Sequence, residues 1–171
     1  MVHGMTQILS SDGRIAITFN VDWRPCPWTV YTKRGEQPPG FYKFKAWQEV
    51  VKAAAIVAMG GRPALCGPVV LEADFYLPLP ALPKYLHLDS AKTADKRDAW
   101  LAKHLVMRPD ATNLLKAFED ACTGLVWQDD SQVVRTVITK QFGTFGCTVA
   151  TISASRTDQL VGHTHTAKLS K

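Results

Sequence analysis

The sequence contains no apolar run near the roughly 20 residues that a membrane-spanning helix needs. Its N-terminal segment, MVHGMTQ, also lacks the charged and then apolar profile of a secretion signal. These absences argue against a membrane protein and against an exported one. We therefore expect a cytoplasmic protein with no membrane partner.

Cysteine is scarce, and no two cysteines form a C-x-x-C pair. The four residues lie far apart in the chain, at Cys26, Cys66, Cys122 and Cys147. This spacing is typical neither of a zinc site nor of a disulfide framework. The sequence therefore predicts four buried thiols.

The chain of 171 residues is 46% apolar, which is enough for one compact domain. Residues 1–155 are expected to form it, because the sequence beyond Ser155 turns polar and aperiodic. Residues 156–171 are accordingly expected to be a flexible tail. The net charge of +5 favours polyanionic partners, although many proteins with such a charge bind none.

Apolar periodicity predicts the secondary structure. Alternation predicts strands at 14–21, 67–78, 132–140 and 147–153, and the glycines of QFGTFG predict that the last two form a hairpin. A helical period predicts two main helices, at 44–59 and 111–123, and a short helix is compatible with 95–104. The order of elements predicts a single α+β domain, a mixed sheet with two main helices on one face.

The segment 23–40 holds four prolines and mixes aromatic with basic residues, which predicts an extended loop with a short strand at 29–32. Two interpretations remain open for it. Its side chains are suited to stacking on opened DNA strands and gripping their phosphates, yet surface loops of this composition are often only ordered coil. The residues concerned are Trp23, Arg24, Trp28, Lys33 and Arg34.

Four polar residues lie at the start of the second predicted helix and along it, at offsets that place them roughly on one face. They are Asp110, Asn113, Lys116 and Asp120. Taken alone, Asp110 is most simply an N-cap that accepts backbone N–H bonds.

Asp129 and Asp130 likewise fit a turn. Because adjacent carboxylates repel, however, a cluster of these two with Asp110 would need a divalent cation to neutralise it.

A joint pattern favours the functional interpretation of these residues. The stretch R-P-D-x-T-N-L-L-K is followed by V-W-Q-D-D-S-Q-V-V, and the region 108–140 resembles the RusA family of Holliday-junction resolvases. The family motifs are a P-D-x-D-N-L-x-K helix start and a D-D-S/A-Q turn. Both agree here in residue type, order and spacing, so the resemblance predicts a RusA-like fold.

The resemblance implies roles for individual residues. Asp110 and Asp130 correspond to metal-binding, catalytic carboxylates, with Asp129 as a third contributor to the metal site. Lys116 corresponds to a lysine that supports catalysis, and Asn113 to the amide that accompanies it. Thr112 is a departure, because the family has an aspartate at this position. Since a hydroxyl is a weaker ligand, metal affinity and stoichiometry are in question.

The implied activity is hydrolysis of DNA phosphodiesters at four-way junctions by a homodimer that uses magnesium or manganese. Carboxylate and water oxygens are the ligands that magnesium prefers, and a lysine is suited to neutralising a transition state rich in negative charge. The implied setting is recombination and repair in a bacterial or phage-infected cell. Arg24, Lys33 and Arg34 are the candidate DNA contacts.

Two other functions compete with this one. The neutral Thr112 favours a structure-selective DNA-binding protein that does not cleave. The motif itself reports the metal site and not the shape of the substrate, so it is equally compatible with a metal-dependent nuclease without preference for junctions.

Overall fold

The computed structural model of the protein describes residues 14–28, 40–86 and 91–155. The strands are β1 (Arg14–Val21), β2 (Val69–Pro78), β3 (Val133–Gly143) and β4 (Cys147–Ser155). The helices are α1 (Phe41–Met59), α2 (Ala91–Leu105) and α3 (Ala111–Cys122), with short 3₁₀ turns at Lys84–Leu86 and Asp130–Gln132. The predicted strand at 29–32 and the predicted tail at 156–171 lie outside the described residues.

The four described strands form one mixed sheet in the order β1-β4-β2-β3. Strand β4 is antiparallel to both of its neighbours, whereas β2 and β3 are parallel. The predicted α+β class with a mixed sheet is therefore confirmed.

The predicted hairpin between the last two strands is wrong. Strands β3 and β4 follow each other in the chain, but β2 lies between them and pairs with both. The connecting turn passes over the end of β2, where Pro78 pairs with Gly143. At Gly146 a Cβ atom would lie 2.7 Å from the Cα of Arg24, so glycine allows this close crossing. The glycines of QFGTFG therefore belong to a turn that crosses the end of β2, and not to a hairpin that joins neighbouring strands.

Strand β2 is one of the two inner strands of the described sheet, and one of its faces is deeply buried. Every second residue from Val69 to Leu77 is buried, and the residues between them are half-buried or exposed. Helices α1 and α3 cover the buried face, and the ring of Phe118 on α3 stacks 5.8 Å from Phe19 and meets Phe75 edge-on at 6.4 Å. These aromatic contacts fix α3 against the middle of the sheet. The prediction of helices packed on one face is thus confirmed.

The helices largely follow their predicted bounds. Helix α1 begins three residues earlier than expected and ends at Gly60, whose left-handed backbone (φ 57°) lets its N–H donate to the carbonyls of Ile56 and Val57. Helix α2 is longer than the short helix considered for this region, and it makes a third helix. None of the helices in the described ranges is both long and apolar enough to cross a membrane.

Candidate active site

A cleft of about 990 Å³ lies between the loop after β1, the beginning of α1 and the beginning of α3. Its walls combine aromatic, basic and acidic groups, and both Asp110 and Asn113 line it. Two of the aromatic side chains are strongly exposed, Trp23 by 50% and Tyr42 by 75%. A wide cleft with these surfaces can admit a large polar ligand.

Asp110 occupies the N-cap position of α3, but its side chain makes no capping hydrogen bond. The exposed carboxylate accepts a long hydrogen bond of 3.5 Å from the amide of Asn113. The simplest interpretation of an aspartate at this position is therefore wrong in its detail, since the carboxylate does not satisfy the helix end. It faces the cleft with its acceptor capacity largely unused.

The loop before Asp110 is held by Lys140 of β3. The Lys140 ammonium donates to the carbonyls of Pro109 at 2.9 Å and of Met107 at 3.1 Å. The peptide bond between Arg108 and Pro109 is cis. These contacts attach the beginning of α3 to the final third of β3 and so fix the place of Asp110.

Asn113 lines the cleft, and Lys116 lies one turn further along α3, next to Trp28 of the cleft wall. The Lys116 ammonium lies 4.0 Å from the centre of the Trp28 ring, a cation–π contact. The backbone N–H of Trp28 donates to the carbonyl of Asn113 at 2.9 Å. Through Trp28, the proline-rich loop is tied to the helix that carries Asp110, so these four residues form one unit.

The basic residues of the cleft come from three separate segments. Arg24 lies in the proline-rich loop, Lys43 in the first turn of α1 and Arg108 directly before the cis peptide bond. The predicted contacts Lys33 and Arg34 lie outside the described residues. Of the three predicted DNA-binding residues, the structure thus places Arg24 at the cleft.

The D-D-S-Q turn is a closed network at the beginning of β3. The Asp129 carboxylate accepts from the backbone N–H of Ser131 at 2.9 Å. Hydrogen bonding from the Ser131 side chain, and then from its backbone, lowers the pKa of Asp129. The Gln132 side-chain oxygen accepts from the N–H groups of Gln128 and Asp129, at 2.7 and 3.0 Å. Asp129 is therefore a turn former, whatever further role it has.

Gln132 also anchors this turn to the rest of the protein. Its side-chain nitrogen donates to the carbonyls of Leu65 and Gly67, both at 3.0 Å. The same region holds an isolated bridge between Leu65 and Trp127. Since Asp130 lies directly between Asp129 and Ser131, this network fixes where Asp130 sits, next to the last turns of α3.

Glu119, in the last turns of α3, is a neighbour of Asp130. Partial burial raises the pKa of the Glu119 carboxyl, and the negative charges of Asp130 and Asp120 raise it further. Asp130 and Asp120 thus each lie close enough to Glu119 to influence it, near the carboxyl-terminal end of α3. No sequence pattern signalled the part played by Glu119, because its neighbour Asp130 is eleven positions away across a turn.

The predicted carboxylates consequently fall into two groups. Asp110 lies at the beginning of α3, near the loop that Lys140 holds. Asp129 and Asp130 lie near the last turns of α3, next to Gln132. In the part of the chain that the structure describes, no three Asp, Glu, His or Cys side chains lie close enough together to hold a metal ion.

Comparison with known proteins identifies the family. The family model described as Endodeoxyribonuclease RusA matches residues 29–151, well over half of the chain. The protein belongs to the RusA family. A curated relative, the uncharacterized protein YqaN of Bacillus subtilis (strain 168), is 33% identical over 88 residues, which cover 50% of this chain. The match spans 58% of the length of that relative.

RusA-family nucleases in general depend on a divalent metal, and the chemistry of this donor set fits one. Asp110 and Asp130 are exposed carboxylates, and the crowding at Glu119 shows an excess of negative charge at one end of α3. Oxygen donors with surplus negative charge are what Mg²⁺ and similar hard cations bind. Thr112, where the family has an aspartate, is exposed on the first turn of α3.

The sequence did not reveal several contributors to this candidate site. Tyr42, Lys43 and Lys140 reach the cleft or its loop from other elements, so no local spacing connects them with Asp110. The prediction of four buried thiols is also wrong in part. Only Cys122 is fully buried, although all four cysteines are free. Burial raises the pKa of Cys26, which lines the cleft, and so disfavours its reactive thiolate.

Proposed function

We propose that the protein is a magnesium-dependent endonuclease that cuts branched DNA, preferentially four-way junctions, as a homodimer. The observation that carries this proposal is the Asp110 carboxylate, which leaves its helix uncapped and faces a cleft lined by basic and aromatic side chains. The carboxylate of a structural N-cap aspartate would instead accept hydrogen bonds from the backbone N–H groups of its own helix. The family assignment supplies the type of reaction.

The cleft residues have distinct tasks in this proposal. Arg24, Lys43 and Arg108 neutralise backbone phosphates, and the exposed rings of Trp23 and Tyr42 stack on bases that the branch point leaves unpaired. Aromatic stacking does not depend on base identity, which suits recognition of a DNA shape. A continuous duplex offers no unstacked bases, so it gains only the phosphate contacts.

Asp110 at the beginning of α3, and Asp130 with Asp129 near the end of that helix, are the residues that would supply carboxylate ligands to divalent cations. When bound, a divalent cation supplies Lewis-acid stabilisation of the scissile phosphate and a more acidic water. Lys116 contributes a positive charge from the middle of α3, and its contact with Trp28 limits where the ammonium can lie. The amide of Asn113 donates a long hydrogen bond of 3.5 Å to the Asp110 carboxylate.

The experiment that tests the proposal is a cleavage assay on labelled DNA, resolved on a denaturing gel. A four-way junction should be cut with magnesium and left intact with a chelator. A fork and a linear duplex of the same sequence, each present as competitor, measure preference for the junction. Equal cleavage of all three would show a general nuclease.

Thr112 favours one alternative, a DNA-binding protein that recognises junctions without cutting them. Here the junction would be retarded in a native gel, while the denaturing gel would show no product at any concentration of magnesium or manganese. The setting we propose, recombination in the cytoplasm of a bacterial or phage-infected cell, requires cleavage.

A further inference from the structure

The connection between α2 and α3 exposes two consecutive apolar side chains, Val106 and Met107. Val106 is 83% exposed and Met107 is 54% exposed, and Leu105 directly before them is half-buried. Single exposed apolar residues are ordinary on a protein surface, but two neighbours in one short loop form a small apolar patch. We call these two residues the α2–α3 tip. Neither of them lines the cleft that holds Asp110.

The backbone of the α2–α3 tip is held on both sides. The N–H of Met107 donates to the carbonyl of His104 at 3.2 Å, and the carbonyl of Met107 accepts from the Lys140 ammonium at 3.1 Å. The last turn of α2 is stiffened in addition, because the His104 ring stacks on Trp100 with 3.6 Å between the ring centres. A ligand therefore does not have to order this loop when it binds to the apolar side chains.

Positive charge surrounds the α2–α3 tip. The segment from Lys103 to Pro109 contains two exposed cations, Lys103 and Arg108, and no carboxylate. Arg108 also lines the cleft, and the Lys140 ammonium contacts the loop from β3. An apolar patch framed by cations is suited to DNA, which offers phosphates on the outside of the duplex and apolar base faces within it. Charge complementarity therefore favours DNA over a second copy of this chain, whose net charge is +5.

The α2–α3 tip also lies close to the candidate active site along the chain. Asp110 follows Met107 by three residues, which span at most about 11 Å even when they are fully extended. Successive nucleotides of a DNA strand rise about 3.4 Å each, so this distance corresponds to about three nucleotides. DNA held at the tip therefore has phosphates only a few nucleotides away at the cleft, where Arg108 and Asp110 lie.

A branch point is the part of a DNA molecule that such a tip can enter most easily. Proteins that kink DNA insert apolar side chains between neighbouring base pairs, and methionine is among the residues that they use. Inside a duplex, this insertion must first break the stacking of two base pairs. The cost is least where pairing or stacking is already disturbed, as it is at a branch point. The same side chains therefore gain more from a junction than from a linear duplex.

We propose that the α2–α3 tip selects branched DNA: Met107, with Val106 beside it, inserts between the base pairs that flank the branch point and holds them apart. This inference rests on the proposed function and adds to it the residues that decide the shape of the substrate. The tip opens the branch point, and the exposed rings of Trp23 and Tyr42 in the cleft stack on the bases that are released. Without the tip, the protein keeps its phosphate contacts and loses its preference for junctions.

The test measures base stacking directly, on a four-way junction that carries 2-aminopurine in a base pair next to the branch point. The emission of this adenine analogue rises when its base is unstacked. With a chelator present, so that no strand is cut, the wild-type protein should raise the emission at this position and not in the middle of an arm. The Val106→Ser, Met107→Ser double variant should lose the rise. Its affinity for the junction relative to linear duplex should fall by on the order of 10-fold, because its side chains no longer bury apolar surface between base pairs.

The matched control is the Ile56→Ser, Val57→Ser double variant, because these two residues are another consecutive apolar pair, 57% and 56% exposed on α1. The control should raise the emission as the wild type does, and circular dichroism should show both variants folded. Loss of the rise in the control as well would overturn the proposal. Light scattering should give the same mass for the wild type and the tip variant. A change of mass would assign the tip to contacts between copies of the chain and would also overturn the proposal.

These measurements distinguish the role of the tip from the proposed function as a whole. A rise in emission at the branch point without any cleavage in magnesium would keep the tip and refute the nuclease. Cleavage of the junction with no rise in emission, or with an equal rise in the tip variant, would refute the tip and leave the nuclease standing. If no DNA is retarded in a native gel, both are refuted.

Discussion

Gln132 offers a sharp test of how the D-D-S-Q turn is built, because all four hydrogen bonds of its side-chain amide are directional. The oxygen accepts from two backbone N–H groups of the turn, and the nitrogen donates to the carbonyls of Leu65 and Gly67. Gln132→Glu changes almost nothing in shape. It preserves the acceptor side and replaces the donor by an oxygen that faces two carbonyl oxygens 3.0 Å away.

The expected loss of stability follows from these contacts. Two hydrogen bonds disappear at about 1 kcal/mol each, and the two carbonyls lose their partner beside a new negative charge. We expect Gln132→Glu to lower the free energy of unfolding by about 2 to 4 kcal/mol at pH 7. The substituted carboxyl should have a raised pKa in the folded state, so the loss should shrink as the pH falls towards the ordinary glutamate value, where a protonated carboxyl can donate again.

Urea denaturation at pH 7 and at pH 4.5 measures both effects, with Gln132→Ala as the control that lacks a titrating group. The alanine variant should lose stability by a similar amount relative to the wild type at both values. If the free energy of unfolding of Gln132→Glu lies within about 0.5 kcal/mol of the wild-type value at pH 7, Gln132 does not anchor the turn. The argument that this turn fixes the position of Asp130 would then be refuted as well.

Four further changes have defined outcomes. Asp130→Asn should lower the cleavage rate by on the order of 100-fold or more while junction affinity is kept or increased, as band-shift and gel assays would show; wild-type cleavage would exclude Asp130 as a ligand. Lys140→Met should lower the free energy of unfolding by about 1 to 2 kcal/mol and Tm by roughly 2 to 8 °C in calorimetry, since it removes two hydrogen bonds to the loop before Asp110. An unchanged Tm would contradict the stabilising role of these hydrogen bonds. Thr112→Asp should lower the magnesium concentration for half-maximal cleavage; a higher requirement would mean that position 112 faces away from the cation. Glu119→Gln should stabilise the protein by less than about 1 kcal/mol at pH 7 and not at pH 4, because a raised carboxyl pKa disfavours folding only above the ordinary pKa of glutamate. Equal effects at both pH values would show that the raised pKa of Glu119 is not the reason.

Local patterns in the sequence predicted the elements well and their arrangement less well. The alternation at 14–21 gave β1 with its observed ends, because a half-buried strand needs only its own residues to show its period. Which strands are neighbours depends on the burial of β2 against the helices, and no turn motif records that. Helix α2 is rich in charged residues and poor in apolar ones, so few apolar positions marked its full length.

The candidate site was predictable where the motif is local and unpredictable where contacts are distant. Asp110, Asn113 and Lys116 share one helix, so their common location followed from helical spacing. The sequence could not decide whether Asp110 caps its helix, since the same residue fits both roles until the hydrogen bonds are seen. That Asp130 lies far from Asp110 depends on the direction of β3 relative to α3, which the motif spacing does not contain.

The position of β4 also determines when the protein can fold during synthesis. Within the described sheet, β1 pairs with β4 alone, and β4 is the last strand of that sheet to leave the ribosome. At 5 to 20 residues per second, the roughly 125 residues between these strands take about 6 to 25 seconds to make. During that interval Phe19 and the other apolar residues of β1 have no described strand beside them. We therefore expect β1 to gain its described partner strand only after β4 has been released.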